Sequence, residues 1–173
     1  MAVAASPATI TSAQFEVTHT TAQFPVGSVC IDNRGGQWIY VKAAEALTAF
    51  SLCHITNASV AAGTFLAEMT EAADIATGPK FLGINQVAFD SAGYGWLWRG
   101  PGGGYQQGIK VRSENMTAGA LAFPLAGTAG AIDDANVDEG VIAGLTTIAT
   151  TTTIAAVECM ATTTITCNLT ETD

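Results

Sequence analysis

Charge is what this chain has least of. Only 12% of its 173 residues are Asp, Glu, Lys or Arg, about half the share of an ordinary soluble domain. A surface so poor in charge favours a subunit that hides part of its outside against partners. Positive charge is scarcer still: six Lys and Arg stand against fifteen Asp and Glu, a net charge of −9. Grip on a phosphate backbone needs several clustered cations that displace counterions. This chain has no such cluster, so nucleic acid is not an expected partner. No run approaches the roughly 18 consecutive apolar residues of a membrane-spanning helix. The first residues lack the basic and apolar regions of a signal peptide. No membrane contact is expected, and synthesis and assembly are expected in the cytoplasm.

Cysteine and histidine are equally sparing. Cys30, Cys53, Cys159 and Cys167 form no Cys-x-x-Cys pair and no Cys/His ligand spacing. They are read as buried free thiols, the usual state in a reducing compartment. His19 and His54 are far apart. Cys53 and His54 are neighbours, and neighbours on a strand point to opposite faces, which is wrong for a nucleophile–base pair. The glycine-rich stretch from Gly100 to Gly108 has neither the Lys-Ser/Thr ending nor the following helix of a phosphate loop. Asp133, Asp134, Asp138 and Glu139 do not follow the calcium-loop spacing and are read as a solvated acidic loop. The expectation is a protein that is not an enzyme and holds no cofactor and no metal.

What is present reads as strand. Val26-Gly-Ser-Val-Cys-Ile31 and Gln37-Trp-Ile-Tyr-Val-Lys42 flank Asp32-Asn-Arg-Gly-Gly36, a turn of residues that tolerate positive φ, and predict a hairpin. Residues 81–89, 94–99 and 107–112 predict three further strands. Threonine-rich text after residue 145 predicts two final ones, at 154–160 and 164–169. Helical turns are conceivable only at 43–49 and 67–75. Strict alternation puts Tyr94, Trp96 and Trp98 on one face. Core, subunit contact and sugar platform all suit such a stripe. The pattern favours Trp96 in the core and Trp98, beside Arg99 at the glycine loop, in a contact. Residues 1–25 carry isolated apolar points, Phe15 and Phe24 among them, without periodicity. They predict an extended arm that orders on a neighbour or on the main domain of residues 26–173. Glu45-Ala-Leu-Thr-Ala-Phe-Ser-Leu52 and Glu114-Asn-Met-Thr-Ala-Gly-Ala-Leu121 echo one another: one strand–turn–strand device used twice, a barrel that arose by duplication, and chance similarity in Ala/Thr-rich text all produce such an echo. The fold class expected is all-β, a compact barrel or tulip-like sandwich with an N-terminal arm.

The order of motifs adds a resemblance. Trp38-Ile-Tyr-Val-Lys, Leu47-Thr-Ala-Phe-Ser-Leu-Cys, and Gly-x-x-Gln-Val-Ala-Phe from Gly83 come first. Tyr94-Gly-Trp, Gly100-Pro-Gly, Gly108-Ile-Lys-Val and Ala118-Gly-Ala-Leu follow. Over residues 37–145 this series resembles the head decoration, or capsid cement, proteins of tailed bacteriophages. The resemblance implies a β-barrel on the outer capsid surface of the virion, as a homotrimer at three-fold positions, whose partners are the major capsid protein and its own copies. The candidate interface residues are Phe15, Phe24, Trp98, Arg99 and Tyr105. The rival readings are another virion part (tail-tube, head-completion or receptor-binding), a surface adhesin and a small barrel enzyme.

Overall fold

The computed structural model describes residues 14–59, 64–75, 81–103, 108–134, 141–147, 153 and 155–168. The chain is all-β, built on a closed five-stranded barrel and a second sheet. Edge strand β1 (Val29–Ile31) pairs with β2 (Gln37–Ala43) as the expected hairpin. β2, β3 (Leu52–Ser59), β4 (Thr64–Met69), β5 (Phe81–Asn85) and β6 (Tyr94–Trp98) form the barrel. Pairing runs β2-β4-β3-β5-β6 and returns from β6 to β2, antiparallel except for β2 with β4. Closure removes the free edges an open sheet would expose.

The only helix among the described residues is the single turn α1 (Ala72–Ile75). It is the end of the helical turn expected at 67–75, and two stretches depart from expectation. Residues 43–49 are not helical, and 67–69 close β4 (Thr64–Met69) instead of beginning that turn. Period two explains the second: Phe65, Ala67 and Met69 belong to the barrel interior, and Glu68 faces His54 across the strands on the outside. The long strand expected at 81–89 stops at Asn85. The Asn85 side-chain amide donates to the carbonyls of Thr48 and Val87 at 2.7 and 2.8 Å, and its oxygen accepts from the Ser51 amide at 2.8 Å. Those bonds turn the chain away.

The barrel interior is lined by Ile39, Val41, Cys53, Ile55, Ala67 and Leu97. Glycines make room for the larger members. A Cβ on Gly83 would lie 2.8 Å from the Leu97 Cβ, and one on Gly95 would lie 2.4 Å from the Phe89 ring. One end is plugged by the reciprocal Leu47–Phe89 backbone pair, both bonds 2.9 Å.

The second sheet is organised by one strand. β12 (Ala155–Asn168) runs unbroken where two final strands were expected, and its register with β11 (Val141–Thr147) shifts between Ala161 and Thr166. It takes β8 (Lys110–Ser113) and β7 (Gly102–Gly103) on one side, β11 on the other, and touches β5 through Thr166 and Phe81. β9 (Phe123–Pro124) and β10 (Ile132–Asp133) extend it beyond β8. The Gln86 side chain stitches barrel to sheet: it accepts from the Lys110 amide at 2.9 Å and donates to the Lys110 carbonyl at 3.0 Å.

Between barrel and sheet lies the larger core, which takes the barrel's outward side chains Trp38, Tyr40, Leu82, Ile84, Trp96 and Trp98. Residues 14–25 cover the part of this face that the sheet leaves. Phe15 stacks on Trp38 with centroids 4.5 Å apart, and meets Trp96 edge-on at 5.5 Å. Phe24 lies 5.2 Å from Tyr40 and 5.3 Å from Trp96. His19 exchanges both backbone bonds with Tyr94 at 2.8 Å. Residues 14–25 thus pack on the main body.

Candidate docking surface

The aromatic stripe holds together as alternation requires, but as core along its length. Trp96 and Trp98 are 1% and 0% exposed, so neither serves a sugar or a partner. The expectation that Trp98 lies in a contact is therefore corrected. It packs outward from β6 like Trp96, and a Cβ on Gly36 would lie 3.0 Å from its indole nitrogen. Phe15, also expected at an interface, is 2% exposed and likewise core. Phe24 is half-buried and packs on the same cluster. Tyr105, Asp138 and Glu139 lie outside the described residues.

The barrel's second end differs from the plugged one. Inward-facing positions at this mouth carry Ile39, Ile55, Phe65, Phe81, Val29 and Arg99, around a cleft of about 220 Å³. Phe81 faces inward because its cross-strand neighbour Ile55 does. Val29 does because it pairs with Ile39. Yet Phe81 is 57% exposed, Val29 53%, and nearby Ile31 67%. Arg99 closes the rim. Its Nε donates to the Leu82 carbonyl at 3.2 Å and its guanidinium sits over the Phe81 ring at 5.5 Å. Burial pushes its pKa below the ordinary value, although a guanidinium stays charged. Among the described residues it has no carboxylate within ion-pair distance. Of the expected interface residues, Arg99 lines this accessible apolar surface. Sequence reasoning missed Val29, Ile31 and Phe81; the signal available was an apolar residue at a strand start, which periodicity cannot assign to a mouth.

Other chemistry-bearing residues serve structure. His54 is buried on the outer barrel face, its Nε2 3.7 Å from Glu68 and its Nδ1 3.7 Å from Asp74. Those are ion-pair rather than hydrogen-bond distances. Cys53 points the other way, into the barrel, and burial pushes its thiol far above the ordinary 9.0, so it has no thiolate to offer. Burial acts the same way on Cys159, and Cys30, Cys53 and Cys159 are free thiols. Asp133 is a buried member of β10 rather than part of a solvated loop. Asp134 accepts from the Thr117 amide at 2.7 Å. Among the described residues no group of three His, Cys, Asp or Glu is placed to hold a metal, and no helix is long and apolar enough to cross a membrane.

Comparison with family models, with curated proteins and with solved structures finds no match to this chain.

Proposed function

We propose that this chain is a structural virion protein that binds the outer surface of a tailed-phage capsid and stabilises the shell, as a homotrimer at three-fold positions. The observation that carries the reading is the barrel mouth: exposed Val29 and Phe81 line an apolar cleft, with exposed Ile31 further along the same edge strand, on a body whose tryptophans are buried. Apolar side chains gathered this way mark a docking surface. The motifs behind the family resemblance support it, because they fall on β2, β5, β6 and β8, which build one body. Such a body needs no catalytic group. A ligand that binds the assembled shell and not its dissociated parts stabilises it by mass action.

The test is reconstitution. Purified expanded heads lacking the protein are titrated with it and sedimented. Saturation near the copy number of the major capsid protein, with a raised temperature of head disruption, is the expected result. Absence of co-sedimentation overturns the proposal. A few copies per particle would instead assign the chain to a tail, completion or receptor-binding part.

A further inference from the structure

β1 is an edge, and its outer side is chemically prepared. Its bonds to β2 fall on alternate residues: the Tyr40 amide donates to the Ser28 carbonyl at 2.9 Å, and the Asp32 amide donates to the Gly36 carbonyl at 2.9 Å. Cys30, midway, is opposite Trp38 in the same register. Antiparallel alternation therefore turns the N–H and C=O of Val29 and Ile31 away from β2. No other strand pairs with β1 among the described residues. An unpaired edge with exposed apolar side chains is a template for another strand. Natural edges are usually blunted by lysine, proline or inward charge, and Val29-Cys-Ile31 carries none of these.

The cleft beside that edge sets the size of what enters. At about 220 Å³ it falls below the roughly 300–1,000 Å³ of sites that enclose a drug-sized molecule. It suits one apolar side chain. Among the described residues the one cation on its rim is Arg99, whose Nε is held by a carbonyl and which has no carboxylate partner there. A guanidinium fork in a partly dry setting selects a carboxylate. On a chain of net charge −9, its presence there is the local reverse of the whole.

We infer that the β1 edge and barrel mouth form a strand-addition site for an extended segment of a partner protein. That segment sets an apolar side chain into the cleft and an Asp or Glu against Arg99. Main-chain bonds to Val29 and Ile31 provide the affinity, and the cleft and guanidinium provide the choice of sequence. The inference rests on the docking-subunit reading and names the surface and the partner chemistry of that reading.

The probe is a displayed library of random heptapeptides, selected against the full chain and counter-selected against two variants. Ile31→Pro removes an outward N–H at an edge position where proline is tolerated. Arg99→Gln removes the charge. Unchanged circular dichroism and melting certify that both fold. The expected result is a family of peptides with alternating apolar residues and one acidic residue at fixed spacing. Their amide shifts should map to Val29, Ile31 and Phe81, and binding should be lost with Ile31→Pro. Affinity should fall about tenfold with Arg99→Gln, a charge-assisted hydrogen bond's worth, and equally when the acidic residue becomes its amide. Should proline destabilise the fold, Phe81→Ser serves as the second variant. Peptides without an acidic residue, peptides indifferent to both variants, or shifts on another face overturn the inference. So does self-association of the chain alone that Ile31→Pro abolishes, since the occupant is then a second copy. Head binding left intact by all three variants would sink this site while sparing the proposed function. Peptide selection succeeding while heads are ignored would do the reverse.

Discussion

Replacing Phe15 by alanine asks whether the N-terminal segment is an appendage or part of the core. Its ring is 2% exposed and lies between Trp38 and Trp96. Truncating a buried aromatic costs about 3–5 kcal/mol, and losing two ring–ring contacts of about 0.5–1.5 kcal/mol each places the substitution inside that range. A compensating route exists. Few backbone bonds hold the segment, chiefly the His19–Tyr94 pair, and it can peel away without unfolding the barrel. Peeling exposes Trp38, Trp96 and Tyr40, so the relief is small. A loss near 3 kcal/mol corresponds to about 6–12 °C of melting temperature for a chain of this size. Thermal unfolding followed by tryptophan emission reads both effects, because a red shift before the main transition reports peeling. A Phe15→Ala protein that melts within about 2 °C of the parent with unshifted emission would refute the packing argument. It would restore the picture of a free arm. On the present geometry, deleting residues 1–25 should destabilise the body as well as weaken particle binding.

Gly95→Ala should destabilise by about 1–3 kcal/mol through overpacking, because the added methyl meets the Phe89 ring at 2.4 Å. Combining it with Phe89→Leu should recover part of the loss in a double-mutant cycle, and strictly additive losses would refute the steric cause. Burial raises the Cys53 and Cys159 thiols above the ordinary 9.0, and Tyr40 above 10.0. Above about pH 9 the unfolded chain therefore holds fewer protons than the folded one, and stability falls as pH rises, by up to about 1.4 kcal/mol per pH unit for each group. Urea midpoints between pH 8 and 10.5 check the sign; a flat profile would refute it. In native buffer a thiol reagent should spare Cys53 and Cys159 and label them after unfolding, as peptide mapping would show. Mass measurement on material released from intact heads should find a homotrimer, and monomers without copy-to-copy contact would sink that part of the proposal. Head binding through an apolar mouth should change less than about threefold between 0.1 and 1 M salt, where screening shortens from about 10 to 3 Å. A steep loss of affinity would reveal a mainly electrostatic contact.

Period-two patterning revealed much of the fold. The β1–β2 hairpin, the β6 stripe and the opposed faces of Cys53 and His54 each follow from alternation within a few residues. The echoed octets correspond in space only in part, since Leu52 is buried and its equivalent Leu121 is exposed. Leu47 and Met116 are both buried, and Phe50 and Gly119 both adopt positive φ, 65° and 79°. What local pattern could not supply was contact between distant segments. Phe15 looked like an isolated apolar point because its neighbours in sequence are polar; its partners, Trp38 and Trp96, come from the barrel. Trp98 looked like an edge residue because Arg99 and the glycine loop follow it, yet the second sheet covers its face. The continuity of β12 was hidden for a related reason. Threonines that interrupt apolar text need not end a strand, since β-branched residues suit an extended backbone.

Barrel closure also explains why the docking surface was the least legible feature. A closed barrel hides its strand edges by pairing each with the next, so what remains for a partner is a mouth, a stray edge and the outer faces. Here the outer faces are largely spent on the aromatic core. The other mouth is plugged by Leu47 and Phe89, which leaves β1 beside the open end. The side chains there sit at or beside the starts or ends of three strands far apart in sequence. Each looks ordinary: a valine, an isoleucine, a phenylalanine after a Pro-Lys pair, an arginine after a tryptophan. Only closure brings them together, and only the register places the outward backbone groups of Val29 and Ile31 next to them. The shortage of charge that suggested a hidden outside is thus met in two ways. Most apolar residues enter two internal cores, and the exposed remainder at this end is concentrated where, among the described residues, an edge without a further strand and a cation without a carboxylate already stand.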